Sequence, residues 1–136
     1  MLDSKNMRIH AMVEIAGFPK EHVEETIKKV IEKLKAEPDM EILEAEIAEA
    51  KENKEMWSTF AELELRINEI DKLIYFCLNY MPSTLEIIRP EQFEMDALQM
   101  TGLFNELLAK LHQYETVTKH LYAENIVLKR KLEKKN

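Results

Sequence analysis

From Ala97 onward, side chains recur in alternating steps of three and four: Ala97, Met100, Phe104, Leu107, Leu111, Tyr114, Thr118, Leu121, Asn125, Leu128 and Leu132. A 3.5-residue period of this kind draws one narrow stripe along a helix, and two such stripes close on each other as a coiled coil. Phe104, Leu111, Thr118, Asn125 and Leu132 fall at the inward a positions; Met100, Leu107, Tyr114, Leu121 and Leu128 fall at d. These ten residues are the expected oligomer interface. One amide at an a position, here Asn125, is a device that fixes strand number and register at some cost in stability.

The flanking residues set an orientation. In a parallel, in-register pair each g residue meets the e residue five places on in its partner. Lys110 then meets Glu115, Val117 meets Tyr122, and Glu124 meets Lys129, with no like charges opposed. Asn125 faces its own symmetry mate. An antiparallel pair sets the amide against an apolar residue, a buried unsatisfied group that costs about 1–3 kcal/mol. The sequence therefore predicts a parallel homodimer. Up to Leu111 the stripe is broader, taking in Leu98, Leu103 and Leu108, as in a helix that packs on a domain face or in a larger bundle. The competing reading folds the helix over its own domain and makes the spacing accidental. The length of the helix, the five heptads and the matching flanks all weigh against it.

Helix boundaries are also written in the chain. Asp96 with Gln99 three residues on has the form of a capping box. Gly102 costs about 1 kcal/mol in a helix but falls at an outward f position. Lys129, Arg130, Lys131, Lys134 and Lys135 crowd the far end, where cations complement the helix dipole. The spacing of Leu107, Tyr114, Leu121 and Leu128, together with Asn125, resembles the zippers of basic leucine-zipper transcription factors. That resemblance would imply a basic helix just upstream to enter the major groove. Upstream here stands Pro90-Glu91-Gln92-Phe93-Glu94-Met95-Asp96, which is acidic, so the DNA-reading half is missing.

Residues 8–90 read as a separate domain. Ile9, Ala11, Val13 and Ile15 alternate with Arg8, His10, Met12 and Glu14, the period of a half-buried strand. Gly17 breaks the strand and Pro19 suits the start of a helix, over which Val23, Ile27, Val30, Ile31 and Leu34 recur at helical spacing. A second strand runs through Leu43, Ala45 and Ile47, followed by a polar turn at 51–54. Trp57, Thr59, Ala61, Leu63, Leu65 and Ile67 face one way on a third strand. Ile70, Leu73, Ile74 and Cys77 mark a second helix closed by Pro82, and Leu85 and Ile87 point inward from a fourth strand. The order β-α-β-β-α-β specifies a ferredoxin-like α/β plait, a four-stranded antiparallel sheet with two helices on one face. The fold class is thus α+β: residues 1–7 as a leader, 8–90 as the plait, and 91–136 as the long C-terminal helix. That architecture hosts many unrelated functions and carries little functional information.

The formal charge of −7 is concentrated in the plait: residues 1–90 hold 19 acids against 12 bases, whereas residues 91–136 hold seven of each. An acidic body disfavours phosphate backbones and makes nucleic acid a poor partner. The single cysteine, Cys77, allows no internal disulfide and suits a reducing, cytoplasmic setting; its apolar neighbours mark it as structural. No run approaches the 18 or so apolar residues of a membrane span. The Glu- and Lys-rich third of the chain is a balance also common in heat-stable proteins.

The sheet face without helices should carry Arg8, His10, Met12, Glu14, Glu44, Glu46, Phe60, Glu62, Glu64, Arg66, Glu86 and Ile88. RNA-recognition plaits stack bases on two or three aromatics there; this face offers Phe60 alone, among carboxylates. Met12, Phe60 and Ile88 form a candidate apolar island for a protein partner. The turn Glu14-Ile15-Ala16-Gly17-Phe18-Pro19 is similar to the first turn of ACT-type plaits, which bind small molecules there; it also simply ends a strand and starts a helix. Acylphosphatases share the plait, but their arginine-bearing glycine loop is absent. His112 and His120 are eight residues apart on one helix and diverge, and His10 with Glu14 and Glu62 lacks metal-ligand spacing. No catalytic, cofactor or metal site is therefore expected. The reading is a non-enzymatic homo-oligomeric adaptor or assembly protein, with a small-molecule-sensing domain as the alternative and an RNA-associated plait third.

Overall fold

The computed structural model describes residues 6–135 and divides the chain into two compact units, Met1–Glu94 and Met95–Asn136. The first unit is α+β. Its elements are β1 (Met7–Gly17), α1 (Lys20–Lys35), β2 (Met40–Ile47), β3 (Lys51–Asn53), β4 (Met56–Ile67), α2 (Ile70–Tyr80) and β5 (Thr84–Arg89). The sheet order is β2-β4-β1-β5, antiparallel throughout, with β3 also on β4. The β-α-β-β-α-β sequence of major elements is as the periodicity predicts.

The sheet has five strands, not four. The expected polar turn at 51–54 is β3 together with the first residue of a tight hairpin. Lys54 and Glu55 have φ of 50° and 71°, the two positive values that a type I′ connection requires. β3 continues β2 along the same edge of β4: Ile47 is in register with Ala61 and Lys51 with Ser58. The gap at 48–50 is bridged by the Ala48 amide on the Phe60 carbonyl (2.9 Å) and by Thr59 Oγ1 donating to the Ala48 carbonyl (2.6 Å). Alternation fails as a signal here because Lys51, Glu52 and Asn53 are all polar and show no apolar face.

The core lies between the sheet and the two helices, both on one face. Met7, Ile9, Ala11 and Val13 from β1 and Ala61, Leu63, Leu65 and Ile67 from β4 meet Ile27, Ile31 and Leu34 of α1 and Leu73, Phe76 and Tyr80 of α2. Met7 is fully buried and opens β1. The leader expected over 1–7 is therefore too long by that residue, since the alternation extends one inward position further back; residues 1–5 lie outside the described residues. On β2 the register slips between Ile42 and Glu44, and Leu43 is the extra residue of a bulge, not an inward position. The slip switches phase: Met40 and Ile42 face the core before it, and Ala45 and Ile47 pair with Leu63 and Ala61 after it.

The predicted stripe on α2 also shifts. Phe76 and Tyr80 are buried with Leu73, while Ile74 is only half-buried. The run Leu73-Ile74-Tyr75-Phe76-Cys77-Leu78 is apolar all round, so spacing alone leaves its phase open. Leu85 and Ile87 share the core face in register with Ala11 and Ile9, yet each remains more than a third exposed.

The second unit is one helix, α3 (Ala97–Lys135), of 39 residues. At about 1.5 Å per residue it is roughly 58 Å long.

Candidate functional site

Helix α3 begins as its sequence specifies. The Gln99 amide donates to Asp96 Oδ1 (2.8 Å) and the Asp96 amide donates to Gln99 Oε1 (3.2 Å). This reciprocal pair satisfies two of the amides that every helix start leaves without a partner. The helix then runs without a break past Gly102, where an added Cβ would meet nothing within 4 Å. Lys119 pairs with Glu115 one turn back (3.1 Å), the stabilising order for an i,i+4 pair. Lys134 and Lys135 occupy the last turn.

All ten expected interface residues lie on this one helix, and none of its residues is buried. Met100, Phe104, Leu107, Leu111, Tyr114, Leu121, Leu128 and Leu132 are between 40% and 65% exposed. Thr118 and Asn125 are exposed on the same stripe. A monomer rarely leaves so continuous a row of large apolar side chains in water. Val117 and Tyr122, which flank the seam, are also exposed.

The second candidate surface is the helix-free face of the sheet. Its register resolves into rows across the strands. Glu41, Arg66, Arg8 and Arg89 form one row; Glu44, Glu64, His10 and Glu86 form the next; Glu46, Glu62, Met12 and Thr84 form the third. Like charges therefore stand directly opposite at Arg8 and Arg66, Arg8 and Arg89, Glu44 and Glu64, and Glu46 and Glu62, each an unfavourable cross-strand pair. Other contacts offset them: diagonally, Arg8 Nε to Glu64 (2.9 Å) and His10 Nε2 to Glu62 (2.8 Å), and directly across the strands, Arg66 to Glu41 (2.8 Å). The hydrogen bond from Arg8 holds the Glu64 carboxyl below its ordinary range. A shallow depression of about 170 Å³ sits here, lined by His10, Glu44, Glu46, Glu62, Leu63 and Glu64.

Met12 and Phe60 lie on adjacent strands of this face, Met12 opposite Glu62 and Phe60 opposite Glu14. Ile88 is not beside them. Met12 pairs with Thr84, four residues from Ile88, a separation of about 13 Å along the strand. The structure thus brings together two of the three residues of the candidate island. Sequence reading placed the alternating face, with Arg8 and Arg66 on it, but missed Arg89, which joins their row only through a register shift beside Ile88.

Other candidates have ordinary structural roles. Cys77 is half-buried and burial pushes its thiol up, away from reactivity. At Gly17 an added Cβ would meet only Val23 Cγ2 at 3.7 Å, ordinary contact, so the turn is not a cradle that demands glycine. Among the described residues no cluster of three or more His, Cys, Asp or Glu side chains is placed to hold a metal ion. No described helix is long and apolar enough to cross a membrane.

An acidic antiparallel plait joined to a long heptad-bearing helix defines the class of protein. The chain belongs to the MJ0538 family, whose profile matches residues 8–135 and so takes in both units. It is 30% identical over 104 residues to uncharacterized protein MJ0538 of Methanocaldococcus jannaschii, an alignment covering 76% of this chain and 38% of that protein. The chain thus spans well under half the length of that relative. No solved structure matches.

Proposed function

We propose that this protein is a non-enzymatic, homo-oligomeric adaptor of a reducing, cytoplasmic compartment, in which α3 pairs in parallel with a second copy and fixes the number and direction of the plaits it carries. The carrying observation is an unbroken, box-capped helix of 39 residues whose seam positions are large, apolar and exposed. Withdrawing a Leu-sized side chain from water contributes about 1.5–3 kcal/mol, so a seam of eight such residues supplies ample drive for pairing. The opposite charges at Lys110 and Glu115, and at Glu124 and Lys129, favour the parallel register. The paired plaits would then offer their acidic faces, with Met12 and Phe60, to another protein.

Sedimentation equilibrium at micromolar concentration tests the assembly. The expected mass is twice the 16.1 kDa of one chain; a single-chain mass at every concentration would overturn the proposal. A thermal-shift series with amino acids and nucleotides tests the adaptor role, because a ligand of the folded form raises the midpoint by mass action. No shift is expected, and a saturable rise would make the protein a small-molecule sensor.

A further inference from the structure

The two edges of the sheet are built differently. Both carry a bulge, at Leu43 on β2 and at Ile88 on β5, but the β2–β3 edge is also interrupted at 48–50 and lined with Glu41, Glu44, Glu46, Lys51 and Glu52, the usual protections against pairing with another chain. At the other end of the order β2-β4-β1-β5, the outer backbone of β5 joins no ladder among the described residues. All six residues of β5 are exposed, with Leu85, Ile87 and Ile88 at 39%, 37% and 37%.

We propose that β5 is a homotypic docking edge, on which β5 of a second copy of this chain adds antiparallel about a two-fold axis, so that two sheets become one. The charges of the strand select this occupant. Residues three apart on a regular strand face opposite sides. Here the register shift beside Ile88 puts Glu86 in register with His10 and Arg89 in register with Arg8, so both charges stand on the helix-free face. Setting Glu86 opposite Arg89 of the second copy sets Ile87 opposite Ile88, and the dyad repeats both pairs. That register contains two opposite-charge pairs, two apolar pairs and no like-charge pair. Centring the dyad on Glu86, instead of between Ile87 and Ile88, opposes two carboxylates, and the registers between lose both ion pairs.

The proposal rests on the coiled-coil reading for proximity. Seven residues, 90–96, join β5 to α3 and reach about 25 Å when extended. In a paired rod the two β5 edges would meet at an effective concentration in the millimolar range, so a strand pairing too weak to hold two free chains still forms.

The test uses the full chain carrying Cys77→Ser and Ile88→Cys. The substituted thiols of two copies stand one residue apart across the dyad, within the Cα spacing of roughly 4.4–6.8 Å that a disulfide needs. Mild oxidation should link the copies on a non-reducing gel. Adding Arg89→Glu, which opposes Glu86 with a carboxylate, should slow linking at least tenfold, and adding Glu86→Arg as well should restore it. Hydrogen exchange on the unsubstituted chain gives a second reading, with the outward β5 amides slow in the wild type and fast in Arg89→Glu. A dimer by sedimentation in which linking is absent or indifferent to the charge swaps, and in which those amides exchange fast, overturns the docking edge while the coiled coil stands. A wild-type monomer overturns both.

Discussion

Thr59 shows how much one hydroxyl decides. It is buried at 3% exposure on a strand whose inward neighbours are all apolar, and its Oγ1 donates to the Ala48 carbonyl where β2 gives way to β3. Thr59→Val keeps the shape and deletes the donor, so the carbonyl keeps its desolvation without that partner; a loss of about 1–2 kcal/mol in urea unfolding is expected. Glu37 acts similarly between helices, accepting from Tyr80 (2.8 Å) and Tyr75 (3.1 Å) and fastening the end of α1 to α2. Burial first, then the Glu37 carboxylate, pushes the Tyr80 hydroxyl well above its ordinary range. A raised acid pKa means that the folded state keeps a proton the unfolded chain releases above about pH 10. The resulting stability is complete below that pH and is lost as pH rises further. Tyr80→Phe should flatten this alkaline decline in a series of thermal midpoints between about pH 9 and 11; an unchanged slope would remove Tyr80 as its source.

At the scale of elements, the plait was legible wherever one face of a strand or helix is continuously apolar. β1, α1 and β4 fall where Ile9 to Val13, Val23 to Leu34 and Thr59 to Ile67 place them. Reading failed where the two-residue period is interrupted or the apolar run has no phase. The Leu43 bulge hides a change of face inside β2, the polar β3 has no apolar face at all, and α2 offers several stripes of which packing selects Leu73, Phe76 and Tyr80. The start of α3 was fully readable, since the Asp96–Gln99 box depends on neighbours three residues apart and not on tertiary context. Within α3, Asn125 is the element's specificity device on the coiled-coil account. Asn125→Leu should raise the thermal midpoint, because the desolvated amide disappears, and should broaden the oligomer distribution seen by sedimentation velocity. A lowered midpoint with an unchanged distribution would mean that Asn125 does not sit in a seam.

For the whole molecule, the residues of the candidate interface could be named from spacing alone because a heptad is a local pattern, whereas the open face of the sheet could not be completed. Its rows are set by pairing across β2, β4, β1 and β5, and the shift beside Ile88 moves that residue away from Met12 and Phe60 while carrying Arg89 into line with Arg8. The central claim is that two copies of α3 lie parallel and in register. Pulsed dipolar spectroscopy on the full chain with Cys77→Ser and a nitroxide at Glu133→Cys addresses it directly, since position 133 lies near one end of the rod. Parallel pairing predicts one label-to-label distance of roughly 20–30 Å, set by the helix diameters. An antiparallel pair in full overlap instead places the labels about 50 Å apart along the rod, and that distance, or no dipolar signal at all, would contradict the account.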